Sequence, residues 1–178
     1  MKRLLTAGAV LAAMAFLLIL NGDRLGLDLS LYGLFGLATG AVLASMTGGT
    51  ASTRALGFVL GFVVAWAAYA VRAGALPDAA SGHAVAATVA LLILTVVAAA
   101  LRSRALFASS LLGVVALVGA YEKTFSLSPD QFLNQSPTAA TTVLLAAGLG
   151  FLGAIIAAQI ASTFGTDDLI TDAHEIEA

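Results

Sequence analysis

Hydrophobic residues in this chain occur in long runs that short polar segments separate. A helix needs about 20 apolar residues to cross the hydrocarbon core of a membrane. Six runs approach that length, at residues 4–20, 31–46, 55–71, 84–101, 105–121 and 138–164. The pattern predicts an all-α fold, a polytopic transmembrane helix bundle of about six spans over residues 1–164. An acidic tail follows at residues 165–178.

The second and third predicted spans form a helical hairpin with regularly spaced glycines. Gly36 and Gly40 lie four residues apart in the first arm, and Gly57 and Gly61 repeat that spacing in the second. Residues at this spacing share one helix face. Small residues on such a face let helix backbones approach closely, which is a main source of helix association in lipid. We predict that this hairpin seeds the packing of the bundle, with Gly153 of the last span in a similar role.

Glycine and proline indicate where several of these helices begin and end. Gly48-Gly49 follows the second span and predicts a helix end in the left-handed conformation. Ser128-Pro129 predicts the start of a short helix, with serine as the N-cap and proline at the first helical position. Ser136-Pro137 repeats this signal for the last span. Residues 128–133 either cover the outer mouth of the bundle or form a simple connector.

The composition fits a chain whose surface faces lipid. Of its 178 residues, 60% are hydrophobic and 10% charged, and the mean hydropathy is +1.01. Soluble domains have about a quarter of their residues charged, so this chain cannot cover a water-facing surface. Its net charge is −2 and its basic residues are scattered, which argues against nucleic-acid binding. The absence of cysteine excludes disulfides and thiolate ligands.

The distribution of basic and aromatic residues predicts an orientation. With the N-terminus inside, five of the eight basic residues fall on the inner side, as the positive-inside rule favours. These five are Lys2, Arg3, Arg54, Arg102 and Arg104. Four aromatic residues fall at the outer ends of the spans and predict an interfacial belt there, namely Tyr32, Trp66, Tyr69 and Tyr121. We predict a multi-pass protein of a prokaryotic inner membrane with both termini in the cytoplasm.

Candidate catalytic chemistry is sparse. An ionisable residue at mid-membrane would indicate an ion site or a proton relay, but every ionisable residue falls in a loop, at a span end or in the tail. His83 and His174 fall on opposite sides of the membrane in this topology. Two histidines without cysteine do not make a conventional closed zinc site. We therefore predict no catalytic, cofactor-binding or metal-binding residues, and a protein that is not an enzyme.

Three polar side chains within the spans are candidates for lining a solute pathway. Gln159 is the strongest, because its amide can bind a polar group of a solute. The alternative is a hydrogen bond between helices or a position near the membrane interface. Thr39 and Ser109 are weaker candidates, since hydroxyls in helices usually bond to the carbonyl one turn earlier.

Two function classes remain open at this point. The first is a non-enzymatic subunit or assembly component of a larger membrane complex, which would bind other membrane subunits or further copies of itself through its small-residue faces and its tail. The second is a small uncoupled channel, or the solute-binding membrane subunit of a transporter for a neutral or apolar solute. In size and span count, though in no motif, the chain resembles the substrate-binding subunits of energy-coupling-factor vitamin transporters. Ala9 and Ala13 in the first span are spaced similarly to the docking faces of those subunits.

Overall fold

The computed structural model describes residues 8–9, 12–13, 16–17, 20, 29–76 and 79–176, and the fold of this part of the chain is all-helical. The predicted all-α class is therefore confirmed for these residues. Among the described residues from 29 to 176, five α-helices follow one another, with a short 3-10 turn, Pro129–Gln131, before the last. They are α1 (Leu29–Ser45), α2 (Ala51–Ala75), α3 (Ala80–Ala100), α4 (Arg104–Leu127) and α5 (Phe132–Ile176).

Four segments of the described residues are long and apolar enough to cross a membrane. They comprise α2, α3, α4 and the stretch Pro129–Ile160. Helix α1 has 17 residues, or about 26 Å, slightly less than the roughly 30 Å of a hydrocarbon core. Most of the first predicted span, residues 4–20, lies outside the described residues. The structure thus indicates a membrane protein with four candidate spans, and the predicted count of six is not confirmed.

Helices α1 and α5 form a closely packed pair. A Cβ atom added to Gly36 would lie 2.5 Å from the carbonyl oxygen of Val143, and one added to Gly40 would overlap the carbonyl oxygen of Ala147. Contacts that advance together along both helices mean that the pair runs parallel. Gly150 of α5 rests in the same way on the backbone of α1. Both helices therefore need glycine at the crossing point.

Helices α2 and α4 form a second parallel pair by the same means. A Cβ atom on Gly57 would lie 2.7 Å from the carbonyl oxygen of Leu106, and one on Gly61 would overlap the carbonyl oxygen of Ser110. Gly113 of α4 lies against the backbone of α2. The α2·α4 pair runs in the opposite direction to the α1·α5 pair, because α2 follows α1 through a short turn and both pairs are internally parallel.

The glycine spacing predicted which helix faces pack closely but not which helices they pack against. The glycines of α1 face α5 and those of α2 face α4, whereas α1 and α2 touch only lightly. The physical reason is that glycine spacing defines a smooth helix face without specifying which helix will cover it. Close packing through small residues is present, but each arm makes it with a later helix.

The turn between α1 and α2 has the conformation that its glycines predict. Gly48 and Gly49 have φ angles of 93° and 66°, the left-handed region that glycine adopts without a steric penalty. The guanidinium of Arg54, in the first turn of α2, donates to the carbonyl oxygen of Ala44 at 3.0 Å and also to that of Met46. These bonds satisfy carbonyls at the end of α1 that have no partner within the helix.

Helix α3 returns the chain so that α4 can lie parallel to α2. Every fourth residue along one side of α3 is buried, and most of these residues are small: Gly82, Ala86, Ala90, Leu94 and Ala98. This face packs mainly on α2 and less closely on α4. Helix α3 is consequently the most peripheral of the four candidate spans.

The last helix begins earlier than the sequence predicts. Helix α5 starts at Phe132 and contains Pro137, so the predicted start at Ser136-Pro137 is wrong. Ser128 makes no side-chain cap bond to the 3-10 turn. Phe132 is 2% exposed and packs in the core, whereas Leu133 is 77% exposed. The burial of Phe132 anchors the start of the helix about one turn before Pro137. The backbone then remains helical past residue 164 as far as Ile176.

The aromatic residues assigned to an outer belt meet inside one end of the bundle. Tyr32, Tyr69 and Tyr121 are buried, with exposures of 7%, 3% and 1%, and Trp66 packs on Phe132 with ring centroids 5.6 Å apart. Buried rings of this kind stabilise the core and do not report where the membrane interface lies. They provide no independent support for the predicted orientation.

Candidate functional site

A cavity of about 290 Å³ lies between α2, α3 and α4. Its walls are apolar and its polar lining residues are Tyr69, Arg72, His83 and Glu122. The apolar lining residues are Ala65, Ala68, Ala86, Ala87, Ala90, Leu91, Val114 and Val118. The alanines of α2 and α3 leave the space open, because these two helices place few large side chains in the gap between them and α4.

Helix α2 places the two central side chains of the polar end. Tyr69 and Arg72 lie three residues apart and so project from the same helix face. The Arg72 side chain is only 10% exposed. Its guanidinium carbon lies 4.5 Å from the ring centroid of Phe125 and 5.2 Å from that of Tyr69. Aromatic faces at these distances attract a cation and shield it from solvent.

Glu122 of α4 supplies the opposite charge. The Nη1 atom of Arg72 lies 3.0 Å from Oε2 of Glu122 and 3.2 Å from its Oε1, and Nη2 lies 3.3 Å from Oε1. The Tyr69 hydroxyl donates to Oε2 at 2.5 Å. A buried guanidinium needs such a partner, because an unpaired buried charge is strongly unfavourable. The ion pair therefore links α2 to α4 at this end of the bundle.

His83 extends the same cluster to α3. The Nη2 atom of Arg72 lies 2.6 Å from Nε2 of His83. Arginine has donors only, so Nε2 of His83 accepts in this contact. Arg72 is thus bonded to α4 through Glu122 and to α3 through His83. We call Tyr69, Arg72, His83 and Glu122 the polar cluster.

The cavity extends from the polar cluster towards the middle of the bundle. Arg72 and Ala65 on α2, and His83 and Leu91 on α3, are seven or eight residues apart. At 1.5 Å per residue the lined region is about 11 Å long. One end thus offers charged and hydrogen-bonding groups that balance each other, and the rest offers only hydrocarbon. The arrangement suits a small molecule with a large apolar part.

The three polar residues that the sequence singled out do not line this cavity. Thr39 is buried and donates to the carbonyl oxygens of Phe35 at 2.7 Å and Gly36 at 3.0 Å. Ser109 is buried and donates to the carbonyl oxygen of Leu106 at 3.0 Å. Both hydroxyls bond within their own helix, which is the usual behaviour of hydroxyls in helices. Gln159 is exposed on α5.

The polar cluster was missed because the sequence analysis placed its members at span ends, where water would solvate them. The predicted spans stop at residues 71 and 121, one residue before Arg72 and Glu122, whereas the helices continue to Ala75 and Leu127. One signal was available in the sequence. Arg72, His83 and Glu122 all fall on the same predicted side of the membrane, and a cation and an anion at one end of a bundle can pair.

Among the residues that the structure describes, no group of three or more histidine, cysteine, aspartate or glutamate side chains is arranged to hold a metal ion. Arg72 bonds to both the Glu122 carboxylate and the His83 imidazole. The polar cluster therefore suits binding better than proton transfer.

No family model, no curated protein and no solved structure matches the chain. What the cavity binds has therefore to be inferred from its own contacts, volume and charges. The decisive features are the alanine-rich walls and the balanced charges of the polar cluster at one end.

Proposed function

We propose that this protein is a non-enzymatic integral membrane protein that holds a small, largely apolar solute between α2, α3 and α4, as a solute-binding membrane subunit or an uncoupled channel would. The observation that supports the proposal is the cavity, with its apolar walls and its single polar end. Ligand sites are typically concave and mostly apolar, with a few polar groups that fix orientation. The cavity has this composition.

The cavity is large enough to hold a small solute. An apolar cavity of about 150 Å³ is large enough to hold benzene, and this one measures about 290 Å³. A second cavity of about 220 Å³ lies between α2 and α3, lined by residues such as Val85 and Val89, and it shares Ala68, Ala86 and Ala90 with the first cavity. Loose packing along the α2·α3 contact favours entry of a solute from the bilayer.

The test introduces a bulky side chain on α3 that fills the cavity. Ala87 borders the first cavity but not the second, and Val89 borders the second but not the first. In phosphatidylcholine nanodiscs, Ala87→Phe should abolish saturable binding of radiolabelled decane, and Val89→Phe should preserve it. Both variants add a ring to the same helix, so Val89→Phe controls for a general effect on folding. The absence of saturable binding in the unsubstituted protein, or equal binding in both variants, would refute the proposal.

A second candidate function is that of a subunit or assembly component of a larger membrane complex. The observation that favours it is the length of α5, whose 45 residues extend about 67 Å, well beyond the candidate span that ends at Ile160. The extension has acidic residues at positions 167, 168, 172 and 175. Deleting residues 167–178 should remove polypeptides that co-purify with the intact protein at low salt, and unchanged co-purification would count against this function.

The proposal includes the cellular location predicted from the sequence, a prokaryotic inner membrane with both termini in the cytoplasm. The support is the excess of lysine and arginine in the segments assigned to the inside. Reporter fusions after Gly49 should be cytoplasmic and those after Asp130 external. The reverse pattern would invert the orientation without affecting the cavity.

A further inference from the structure

We infer that the solute is an amphiphile, a single apolar chain with an uncharged, hydroxyl-bearing head group that lies against Glu122 while the chain fills the alanine-lined part of the cavity. The inference rests on the proposed function and adds the chemical class and the orientation of the solute. Three observations support it: the charge balance of the polar cluster, the hydrogen bonds of Glu122, and the direction in which the cavity runs.

The charge balance of the polar cluster favours an uncharged head group. Arg72 and Glu122 carry opposite charges and bond to each other, and His83 accepts a hydrogen bond from Arg72. A charged head group would gain a partner only by separating this ion pair. The group left behind would be a charge without its partner in a largely apolar site, which is strongly unfavourable. An uncharged head group requires no such separation.

The hydrogen bonds of Glu122 favour a head group that donates. Carboxylate oxygens only accept, and Oε1 receives only two long bonds from Arg72, of 3.2 and 3.3 Å. Charge-assisted bonds of this type are usually about 2.7–2.9 Å long, so Oε1 is the less well satisfied oxygen. The Glu122 side chain is also 38% exposed, compared with 10% for Arg72. A hydroxyl group can therefore reach Oε1 and donate to it.

The direction of the cavity matches the orientation of a lipid in one leaflet. The polar cluster lies within six residues of the ends of its helices, with Arg72 close to Ala75, His83 close to Ala80 and Glu122 close to Leu127. The apolar part runs from there towards mid-bundle. An amphiphile already in the leaflet has its head at the interface and its chain towards the midplane. It can therefore enter beside α3 without turning over.

The experiment compares three probes with the same chain length in the full-length protein, in phosphatidylcholine nanodiscs, with probe concentrations expressed as mole fractions of the bilayer. The probes are decane, decanoylglycerol and decanoate. Decanoylglycerol should bind about tenfold more tightly than decane, the ratio that corresponds to 1.4 kcal/mol. Decanoate should bind no more tightly than decane, because its charge has no free partner.

Glu122→Gln tests the assigned contact, with Lys123→Gln as its matched control, since Lys123 is adjacent, exposed and absent from the cavity wall. Hydrogen bonds to ionised acceptors are roughly twice as strong as neutral ones. Glu122→Gln should therefore reduce the preference for decanoylglycerol over decane by about threefold or more while decane still binds. Lys123→Gln should retain the full preference.

The outcomes separate this inference from the proposed function. If decane and decanoylglycerol bind equally, or decanoate binds most tightly, the inference is overturned and the proposed function stands. If no probe binds saturably, both fail. A preference that is the same in Glu122→Gln and in the unsubstituted protein also overturns the assigned contact. Should Glu122→Gln fail to fold, the order of the three probes on the unsubstituted protein decides the matter alone.

Discussion

The α1·α5 and α2·α4 helix pairs share one packing arrangement but differ in the role that each has in the bundle. In each pair, two glycines four residues apart lie against backbone carbonyls of the partner helix, and one glycine of the partner lies against the first helix. The corresponding positions are Gly36 with Gly57, Gly40 with Gly61, Ala147 with Ser110, and Gly150 with Gly113. Two parallel helix pairs thus form the framework on which the rest of the bundle is built.

The two pairs differ in their polar content. Residues 29–45 of α1 and 132–160 of α5 include no charged residue, whereas α2 and α4 contribute Tyr69, Arg72 and Glu122 to the polar cluster. Only the α2·α4 pair borders the cavity. The comparison indicates that glycine packing provides stability in both pairs, and that the polar groups at one end of the second pair provide the capacity to bind.

The largest effect is expected from leucine at the second glycine of either pair. Gly40→Leu and Gly61→Leu each place a branched side chain where a single Cβ atom would already overlap a backbone carbonyl. Because a backbone cannot move aside as a side chain can, we expect the free energy of unfolding to fall by about 3 kcal/mol or more. The folded fraction in mild detergent, measured by size-exclusion chromatography, should fall for both variants.

Gly148→Leu is the matched control for these variants. A Cβ atom at Gly148 meets nothing within 4 Å, so its chromatographic profile should equal that of the unsubstituted protein. If Gly40→Leu were tolerated and Gly61→Leu were not, the two pairs would not be equivalent, and the α2·α4 pair alone would form the framework.

An intermediate effect is expected from Glu122→Ala, which has no counterpart in the α1·α5 pair. The substitution leaves the Arg72 guanidinium, 10% exposed, without its carboxylate. Breaking a buried ion pair costs roughly 3–5 kcal/mol. Because Glu122 is 38% exposed, solvent reduces this value, and we expect about 2 kcal/mol. Thermal unfolding in detergent measures the loss.

Two further variants show whether the loss comes from the charge that remains. Lys123→Ala, at an exposed neighbouring position, should change stability by less than about 0.5 kcal/mol. The double variant Arg72→Leu with Glu122→Leu should recover most of the stability, since hydrophobic replacement of a buried ion pair is often neutral. A double variant as unstable as Glu122→Ala would mean that the ion pair itself stabilises the α2·α4 pair.

The smallest effect is expected when the α2·α4 pair is given the residues of the other pair. Ser109 and Ser110 take the places that Ala146 and Ala147 take in α5. Their hydroxyls donate to Leu106 and Phe107 carbonyl oxygens of their own helix, at 3.0 and 2.8 Å. The double substitution to alanine should therefore change the free energy of unfolding by less than about 0.5 kcal/mol. A much larger loss would show that these hydroxyls also stabilise the contact with α2.

Sequence patterns predicted the helices and their small faces but not the partners of those faces. The apolar runs are patterns of local spacing that can be read directly from the sequence. The same is true of the glycine pairs at 36 and 40 and at 57 and 61. Which helices pair depends on which partner is long enough, runs parallel and also has a small residue at the crossing point. Helix α5 meets these conditions for α1 through Gly150, and α4 meets them for α2 through Gly113. Several glycines compete for each face, and spacing alone does not rank them.

The polar cluster was hidden for a different reason. Each of its charged members lies close to a helix end, and a shift of a few residues in the predicted boundary moves a side chain from water into the bundle. Arg72 is 10% exposed although it lies within one turn of Ala75. Boundaries are the least certain part of a prediction from hydropathy, so a pair of opposite charges near the same membrane face needs to be considered as a pair.

The parallel packing of α1 on α5 has a consequence for how the protein is made. Gly40 rests on Ala147, which the ribosome adds roughly a hundred residues later. At about 5–20 residues per second of synthesis, the newly made α1 waits roughly 5–20 s before its partner exists. During that interval its glycine face has no helix to cover it. We therefore expect that an insertase that releases α1 before α5 emerges lowers the yield of the folded bundle.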